Sequence, residues 1–403
     1  MSVNEWKKSF IIMWCAQFIG MSAITGLISF LPLYVSHLGI AEESSVALWS
    51  GLLIGASSFA AAIANPYWGA LADRKGRKPM TEKVLFMFGL IMIGMSFAAN
   101  VYQLFALRIF QGLCGGFVAA STALVTSLTP KEKIPFMVGM FQTAMIAGGA
   151  VGPMIGGFIA DSFGYRQPFI VFGLLCFVTL AVIHFAIQEV FQPAPQKEKT
   201  SIRKTFADLW SLADLKLMLV VQFLSQFAIQ SIGPILPLYI QNLSANTANL
   251  ASISGTIIAI GGVASAISSA SMGQICNRFS YRQILITSAL LGAISFIGQL
   301  AATDIVMLGF MRAINGFCIG AMIPSSNTII TFLIPESKRG AAFGATSSAS
   351  LMGNVLGPLC AGLSAMVFGL QAIFWITAAL FIVIMLLIFF KIRSNYEPEA
   401  TTV

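Results

Sequence analysis

The sequence predicts an all-α membrane protein of twelve transmembrane helices arranged as two six-helix repeats. Three observations predict it. Of 403 residues, 57% are hydrophobic and 9% are charged, whereas soluble domains carry about 25% charged residues. Charge-free runs such as 9–36, 44–72 and 134–160 exceed the ~20 apolar residues that carry a helix across ~30 Å of hydrocarbon. A shift of 204 or 205 positions lays "LPLYV" (31–35) on "LPLYI" (236–240), "GPMIGG" (152–157) on "GPLCAG" (357–362), and Arg108 and Gly112 on Arg312 and Gly316.

In chain order, run 9–36 gives the first span, centred near residue 22, and run 44–72 the second, near 59. The basic cluster from Arg74 to Lys83 separates the second from the third, near 91, and "ALRIFQGLCGGFVAAS" (106–121) lies in the fourth, near 114. Lys131 and Lys133 precede the fifth, near 147; the sixth, near 178, leads to a linker rich in proline and charge, "QPAPQKEKTSIRK" (192–204). Run 217–277 is too long for one span and contains the polar break "QNLSANTAN" (241–249), so it supplies spans seven and eight, near 228 and 263. Spans nine and ten centre near 293 and 318, and run 340–390 is divided by the tight turn "FGL" (368–370) into spans near 353 and 380. The expected organisation is an N-terminal six-helix bundle over 1–190, a cytoplasmic linker over 191–212 and a C-terminal bundle over 213–403.

Cytoplasmic loops retain Lys and Arg, and 20 of the 23 basic residues fall on alternate loops or at the termini. Both termini are therefore expected to be cytoplasmic. Arg166 lies on the opposite face, and Arg108 and Arg312 lie within spans. The net charge of +8 reflects this topology and no nucleic-acid partner. The first run is too long for the apolar core of a cleavable leader, so it is expected to stay as span one. The six cysteines (15, 114, 176, 276, 318, 360) have no paired spacing and read as small packing residues. No metal site, cofactor or catalytic cluster is expected, and no enzymatic role.

Charge within the spans is sparse enough to be weighed residue by residue. A charge at the bilayer centre costs ~2.5–3.5 kcal/mol even on lenient scales, so an intramembrane arginine points first to function. Gln111 shares a helical face with Arg108, three residues away, and Gly112 lets a neighbouring helix approach. Five guanidinium donors can be met by amides, carbonyls and water, so Arg108 needs no carboxylate; holding helices together is the bland alternative. Arg312 is its repeat counterpart, with Asn315 in place of the glutamine.

Span seven places Gln222, Gln226 and Gln230 four apart, beside Phe223 and Phe227, and the repeat lays Gln222 on Gln17, with Met21 and Thr25 on the same stripe. Such a face must look inward. It either hydrogen-bonds between helices or lines a cavity, where amides with Phe and Met suit amphipathic, aromatic molecules. His184 stands on an apolar stretch and reads as a packing residue. Carboxylates stay at span ends: Asp161 and Asp304 outside, Glu82, Glu189 and Asp214 inside.

Two loops and one helix carry more specific strings. Between spans two and three, "GALADRKGRKP" (69–79) sets Asp73 among Arg74, Lys75, Arg77 and Lys78, with glycines at 69 and 76. Span five carries "GGAVGPMIGG", with Gly148, Gly149, Gly152, Pro153, Gly156 and Gly157; small residues four apart allow close helix packing. The loop string resembles the signature of the major facilitator superfamily, matching at Gly69, Leu71, Asp73, Arg74, Gly76, Arg77 and Lys78. The second-half loop "GQICNRFSYRQ" (273–283) has Asn277 in place of the acid. With the span-five string, which resembles the antiporter signature of facilitator drug exporters, the likeness covers essentially the whole chain and points to the drug–proton antiporter branch with twelve spans.

That resemblance implies several roles. Asp73 would cap the cytoplasmic start of span eleven, at residues 337–341, as a gate. Arg108, Gln111 and Gly112 would match the R-x-x-Q-G tied to proton coupling. The acid that the family places near the cytoplasmic end of span four is replaced here by Thr126 and Thr129, with Glu132 the nearest carboxylate. The function expected is proton-coupled efflux of drugs or other amphipathic small molecules by alternating access, from a bacterial inner membrane. The substrate cavity would include Gln17, Met21, Gln222, Gln226, Phe227, Gln230 and Arg312. Partners would be the substrate, protons and the bilayer, with the chain a monomer. A carrier for one metabolite or siderophore is the rival within the class, and a non-transporting membrane receptor the rival outside it.

Overall fold

The computed structural model describes residues 3–189, 213–243 and 249–391; the expected linker at 191–212 lies outside them. Among the described residues every regular element is helical, and the expected spans are found. The first repeat gives α1 (Val3–Thr25), α2 (Leu31–His37), α3 (Glu43–Lys75), α4 (Arg77–Ser96), α5 (Val101–Leu113), α6 (Phe117–Leu128), α7 (Ile134–Phe163) and α8 (Gln167–Ala186). The second gives α9 (Ala213–Ser231), α10 (Leu236–Leu243), α11 (Leu250–Ile275), α12 (Tyr281–Leu300), α13 (Ile305–Leu333), α14 (Glu336–Phe368) and α15 (Ala372–Lys391). Eleven helical stretches are long and apolar enough to cross a membrane, and α9 with α10 makes up a twelfth, broken span.

The span ends follow from local chemistry. Asn100 and Asp304, related by the 204-residue shift, both cap helices by accepting from the backbone N–H three residues on, at Gln103 and Met307. Ser280 and Gln283 form a reciprocal capping box at the start of α12, which satisfies two orphan donors. Gly164 and Gly369, 205 apart, end α7 and α14 with φ of +96° and +84°, backbone that a side chain would strain. The expected turn at 368–370 is that second glycine. Large side chains such as Phe59, Phe158, Phe310 and Phe390 are exposed, the surface expected of helices that meet lipid.

The described residues form two compact units. The first holds α1–α8 with Leu236–Ala259; the second holds α9, up to Ile235, with everything from Ile260 onwards. The boundary falls inside α11. Leu236–Ala259 belongs to the second repeat by sequence but lies with the first-repeat helices. Contacts described below, from Asp161, Gly157 and Glu43, hold it there.

Candidate functional site

Span four is where polar chemistry, backbone irregularity and close packing coincide. Its first half, α5, turns Arg108 inward until the residue is only 6% exposed. The guanidinium donates from Nε to the Leu53 carbonyl at 3.2 Å and from Nη1 to Gln111 Oε1 at 2.8 Å. Gly112 lies against the Ser57 carbonyl, where any Cβ would collide, so α3 and α5 approach at backbone distance. The three residues of the R-x-x-Q-G string are thus one structural unit, and among the described residues no carboxylate pairs with Arg108.

Just past this unit the span breaks. Gly116 takes the left-handed conformation at φ +98°, and α6 starts again at Phe117. The repeat counterpart, α13, runs unbroken through Gly320, because Ile319 precedes that glycine where Gly115 precedes Gly116. The break frees backbone carbonyls, and Trp68 on α3 donates its indole N–H to Leu113 O at 2.6 Å. Irregular backbone at membrane depth needs such partners. Asn65 Oδ1, close to Gly115, is buried without a partner. Lys83 on α4 places its ammonium 3.1 Å from the Trp68 ring centre, a cation–π contact with no hydrogen bond to Nζ.

The glutamine positions fall into two groups. Gln17 is fully buried and accepts from the Ser121 hydroxyl of α6 at 2.7 Å. Gln222 is 3% exposed and donates to Asn327 Oδ1 of α13 at 3.0 Å. Each therefore bonds span one to four, or span seven to ten. In both, the other end of the amide is buried and unpartnered: Gln17 Nε2 and Gln222 Oε1. Met21, Gln226 and Gln230 are half-buried, and Phe227 is buried beside Phe223 with ring centres 6.1 Å apart.

The span-five string has two working faces. Gly148, Gly152 and Gly156 lie against α1 and its end, at Phe18 O, Ser22 and Gly26 O, where side chains would clash. Ser22 and Thr25 hydroxyls both donate to the Gly148 carbonyl, at 3.4 and 3.3 Å. Gly157 and Pro153 face the start of α11, meeting the Ala251 carbonyl and Gly255. A Cβ at Gly149 would meet nothing within 4 Å beyond its own helix. One turn beyond, Asp161 accepts from Ser252 N at 2.7 Å and Ala251 N at 3.3 Å, filling orphan donors of the first turn of α11. Nearby, Glu43 accepts from Asn242 Nδ2 at 2.8 Å. Burial, reinforced by the Asp161 carboxylate, pushes the neighbouring Tyr165 phenol above its ordinary pKa.

At the loop between spans two and three, α3 ends at Lys75 and α4 begins at Arg77, with Gly76 at φ +103° between them. Asp73 lies on α3, but its side chain and those of residues 336–338, where its expected partner begins, lie outside the described side chains. Gly69 faces open space and Arg74 is exposed. Arg77 Nη1 donates to the Ala123 carbonyl in the middle of α6 at 3.2 Å, so a backbone oxygen answers this arginine. Glu189, beyond span six, caps α4 by accepting from the backbone N–H groups of Arg77 and Lys78 at 2.8–3.1 Å. Lys78 Nζ donates to His184 O at 2.8 Å and lies 3.6 Å from Glu82. His184 is not a packing residue: its ring is exposed and meets Glu82 at 3.2 Å, because Glu82 on α4 faces it across the helix pair.

The sequence places Asp161 and Glu189 at span ends and Lys83 in a basic cluster but points to no role for any of them. The available signal for Asp161 was an acid one turn past the glycine string. Nothing local marks the other two.

Comparison with known proteins identifies the family. The family model of the Major Facilitator Superfamily matches residues 13–278 and 218–402. "Multidrug resistance protein MdtG" of Rahnella sp. (strain Y9602) is 33% identical over 374 residues, 93% of this chain and 91% of that protein. The protein of the same name from Escherichia coli (strain K12 / DH10B) is 34% identical, over 93% of this chain and 92% of its own length. A bacterial homolog of the human lysosomal transporter Spinster, solved in an inward-facing and occupied conformation, shares the fold at a TM-score of 0.80 and 13% identity, covering 96% of this chain and 97% of that one. A D-xylose-proton symporter does so at 0.75 and 15%, covering 96% and 98%. A chain of twelve spans in two repeats, matched along nearly its whole length by one family model and by curated relatives above 30% identity, belongs to the Major Facilitator Superfamily, a family of membrane transport proteins and not of enzymes.

Proposed function

We propose that the chain is a secondary active transporter that expels drugs or other amphipathic small molecules by alternating access, with proton entry as the driving reaction. The observation that carries the reading is the 33–34% identity over 93% of the chain to proteins named for multidrug resistance. The buried Arg108–Gln111 pair supports the coupling half of it. A guanidinium held without a carboxylate keeps its charge, so it can lower the proton affinity of a neighbouring group, by an amount that depends on its distance, without itself titrating.

Roles are assigned on the same basis. Arg108, Gln111 and Gly112 couple; Gly69, Asp73, Arg74, Gly76, Arg77 and Lys78 gate the cytoplasmic side. Gly148, Gly152, Pro153, Gly156 and Gly157 form the antiporter helix. Gln17, Met21, Gln222, Gln226, Phe227, Gln230 and Arg312 contact substrate, and the unpartnered amide ends of Gln17 and Gln222 support this. The chain works as a monomer of two bundles, 1–190 and 213–403, joined by a cytoplasmic linker, in a bacterial inner membrane with both termini cytoplasmic.

The test is substrate-dependent proton flux in proteoliposomes across a panel of amphipathic drugs. Proton release that follows drug addition, and drug accumulation that collapses with the pH gradient, are expected. Drug movement indifferent to the gradient would refute the proton-coupled reading.

A further inference from the structure

Arg108 and Arg312 are repeat counterparts, yet their surroundings differ. Arg108 commits Nε to Leu53 O and Nη1 to Gln111. Arg312 is buried to a similar degree, 8% exposed, but it makes no hydrogen bond among the described residues, and its Nη1 is sealed from solvent with no acceptor. Arg312 takes part in no described ion pair, so no described carboxylate answers this charge.

Local sequence explains the difference. Asn315 stands where Gln111 stands in the first repeat, one carbon shorter, and it turns away to donate Nδ2 to Ser295 Oγ at 3.2 Å. Gly261 of α11 lies over the arginine stem: a Cβ there would come within 3.3 Å of Arg312 Cγ and 3.5 Å of Nε. Gly316 and Gly320 bring α13 onto the carbonyls of Gly261 and Ser265, which fixes the backbone around the side chain. A lysine so placed could lose its proton; a guanidinium cannot. Leaving it buried and unanswered is among the costliest of unsatisfied states, and the described residues do not supply the acceptor.

We propose that Arg312 is the recognition point for the anionic headgroup of a substrate: a carboxylate or similar oxyanion on an otherwise apolar molecule. An oxyanion matches the planar fork of the guanidinium in two parallel hydrogen bonds and neutralises it, whereas a neutral amide can accept a bond but leaves the charge. The inference rests on the reading of the chain as an exporter of amphipathic molecules with Arg312 among its substrate contacts, and it narrows that substrate class to anionic amphipaths.

The experiment compares two fluorescent probes that differ in one group, dansyl-leucine (carboxylate) and dansyl-leucinamide (neutral), binding to the full-length purified protein. The wild type is expected to prefer the carboxylate. Arg312→Gln should weaken the carboxylate by about 10- to 100-fold, the range of a charge-assisted hydrogen bond, and shift the amide by less than about threefold. Arg312→Lys keeps a charge without the fork, so a reduced carboxylate preference survives; it carries the test if the glutamine variant does not fold. Equal binding of the two probes to the wild type, or a carboxylate preference untouched by Arg312→Gln, overturns the proposal and leaves the exporter reading standing. A wild type that binds neither probe also overturns the proposal, and the exporter reading is then decided by the proton-flux measurement alone.

Discussion

Asp161 should hold the start of α11, and replacing it should release two identifiable amides. Ala251 N and Ser252 N belong to the first turn of that helix and have no intrahelical acceptor; the Asp161 carboxylate is the partner they are given, at 3.3 and 2.7 Å. A hydrogen bond to a charged group is worth ~1.5–3 kcal/mol, and an acid at a helix N-terminus adds ~0.3–1 kcal/mol. The 3.3 Å contact contributes at the low end. Asp161→Asn keeps an acceptor oxygen but loses the charge, so a loss of about 1–2 kcal/mol is expected, and Asp161→Ala should lose about 2–3 kcal/mol. In hydrogen–deuterium exchange of the protein in nanodiscs, the two amides should exchange about 5- to 30-fold faster in the asparagine variant and about 30- to 150-fold faster in the alanine variant. Amides from Ile257 onwards, which have helical partners, should stay within about twofold. Unchanged exchange at Ala251 and Ser252, or uniform acceleration along α11, would refute the reasoning.

Asp73→Asn is expected to leave membrane insertion intact and cripple transport, while Asn277→Asp changes little; equal transport by the Asp73 variant and the parent at matched abundance contradicts the gate. Arg108→Ala should abolish uphill transport while substrate still binds, and Arg108→Lys should fail as well, since an ammonium cannot reproduce the bonds to Leu53 and Gln111 together; both properties are read on the same purified variants. Gly156→Ala drives a methyl group into the Gly26 carbonyl and should lower stability by about 1–3 kcal/mol, seen as a fall in melting temperature. Gly149→Ala, with nothing within 4 Å, should not, and a comparable loss in both would show that the packing assigned to span five is wrong.

What was legible in the sequence was set by periodicities that do not depend on distant segments. Apolar run length marks a span because bilayer thickness is fixed, and polar or glycine breaks mark turns because the backbone needs them there. So the Gly369 turn and the Arg108–Gln111–Gly112 unit could be placed before any geometry was known. Glu189 could not: it caps a helix whose first residue lies 112 positions earlier, and no local pattern encodes a partner at that separation. Asp161 and Ser252, 91 apart, are hidden for the same reason. His184 was misread because an apolar stretch says nothing about the Glu82 that faces it from another helix. The break in span four was visible as two consecutive glycines, but glycine pairs also serve simple packing, and only the left-handed φ at Gly116 separates the two uses.

The repeat makes these differences interpretable, because each position has an internal control folded to the same plan. Where both copies keep a residue or its capping chemistry, as with the turns Gly164 and Gly369 or the caps Asn100 and Asp304, the role is architectural and either copy predicts the other. Where the copies part, the consequence follows from chemistry. Gln111 reaches its arginine, and Asn315, one carbon shorter, does not. Gly115 before Gly116 breaks span four, and Ile319 before Gly320 leaves span ten whole. The first copy thereby holds a guanidinium in a closed internal network beside irregular backbone, an arrangement suited to passing a change in charge to its surroundings. In the second copy an equally buried guanidinium on a rigid helix keeps an unused donor, which suits it to meet a molecule from outside the chain. The two arginines should therefore fail differently: loss of Arg108 should uncouple transport at unchanged affinity, and loss of Arg312 should change affinity for anions while transport of what still binds remains coupled.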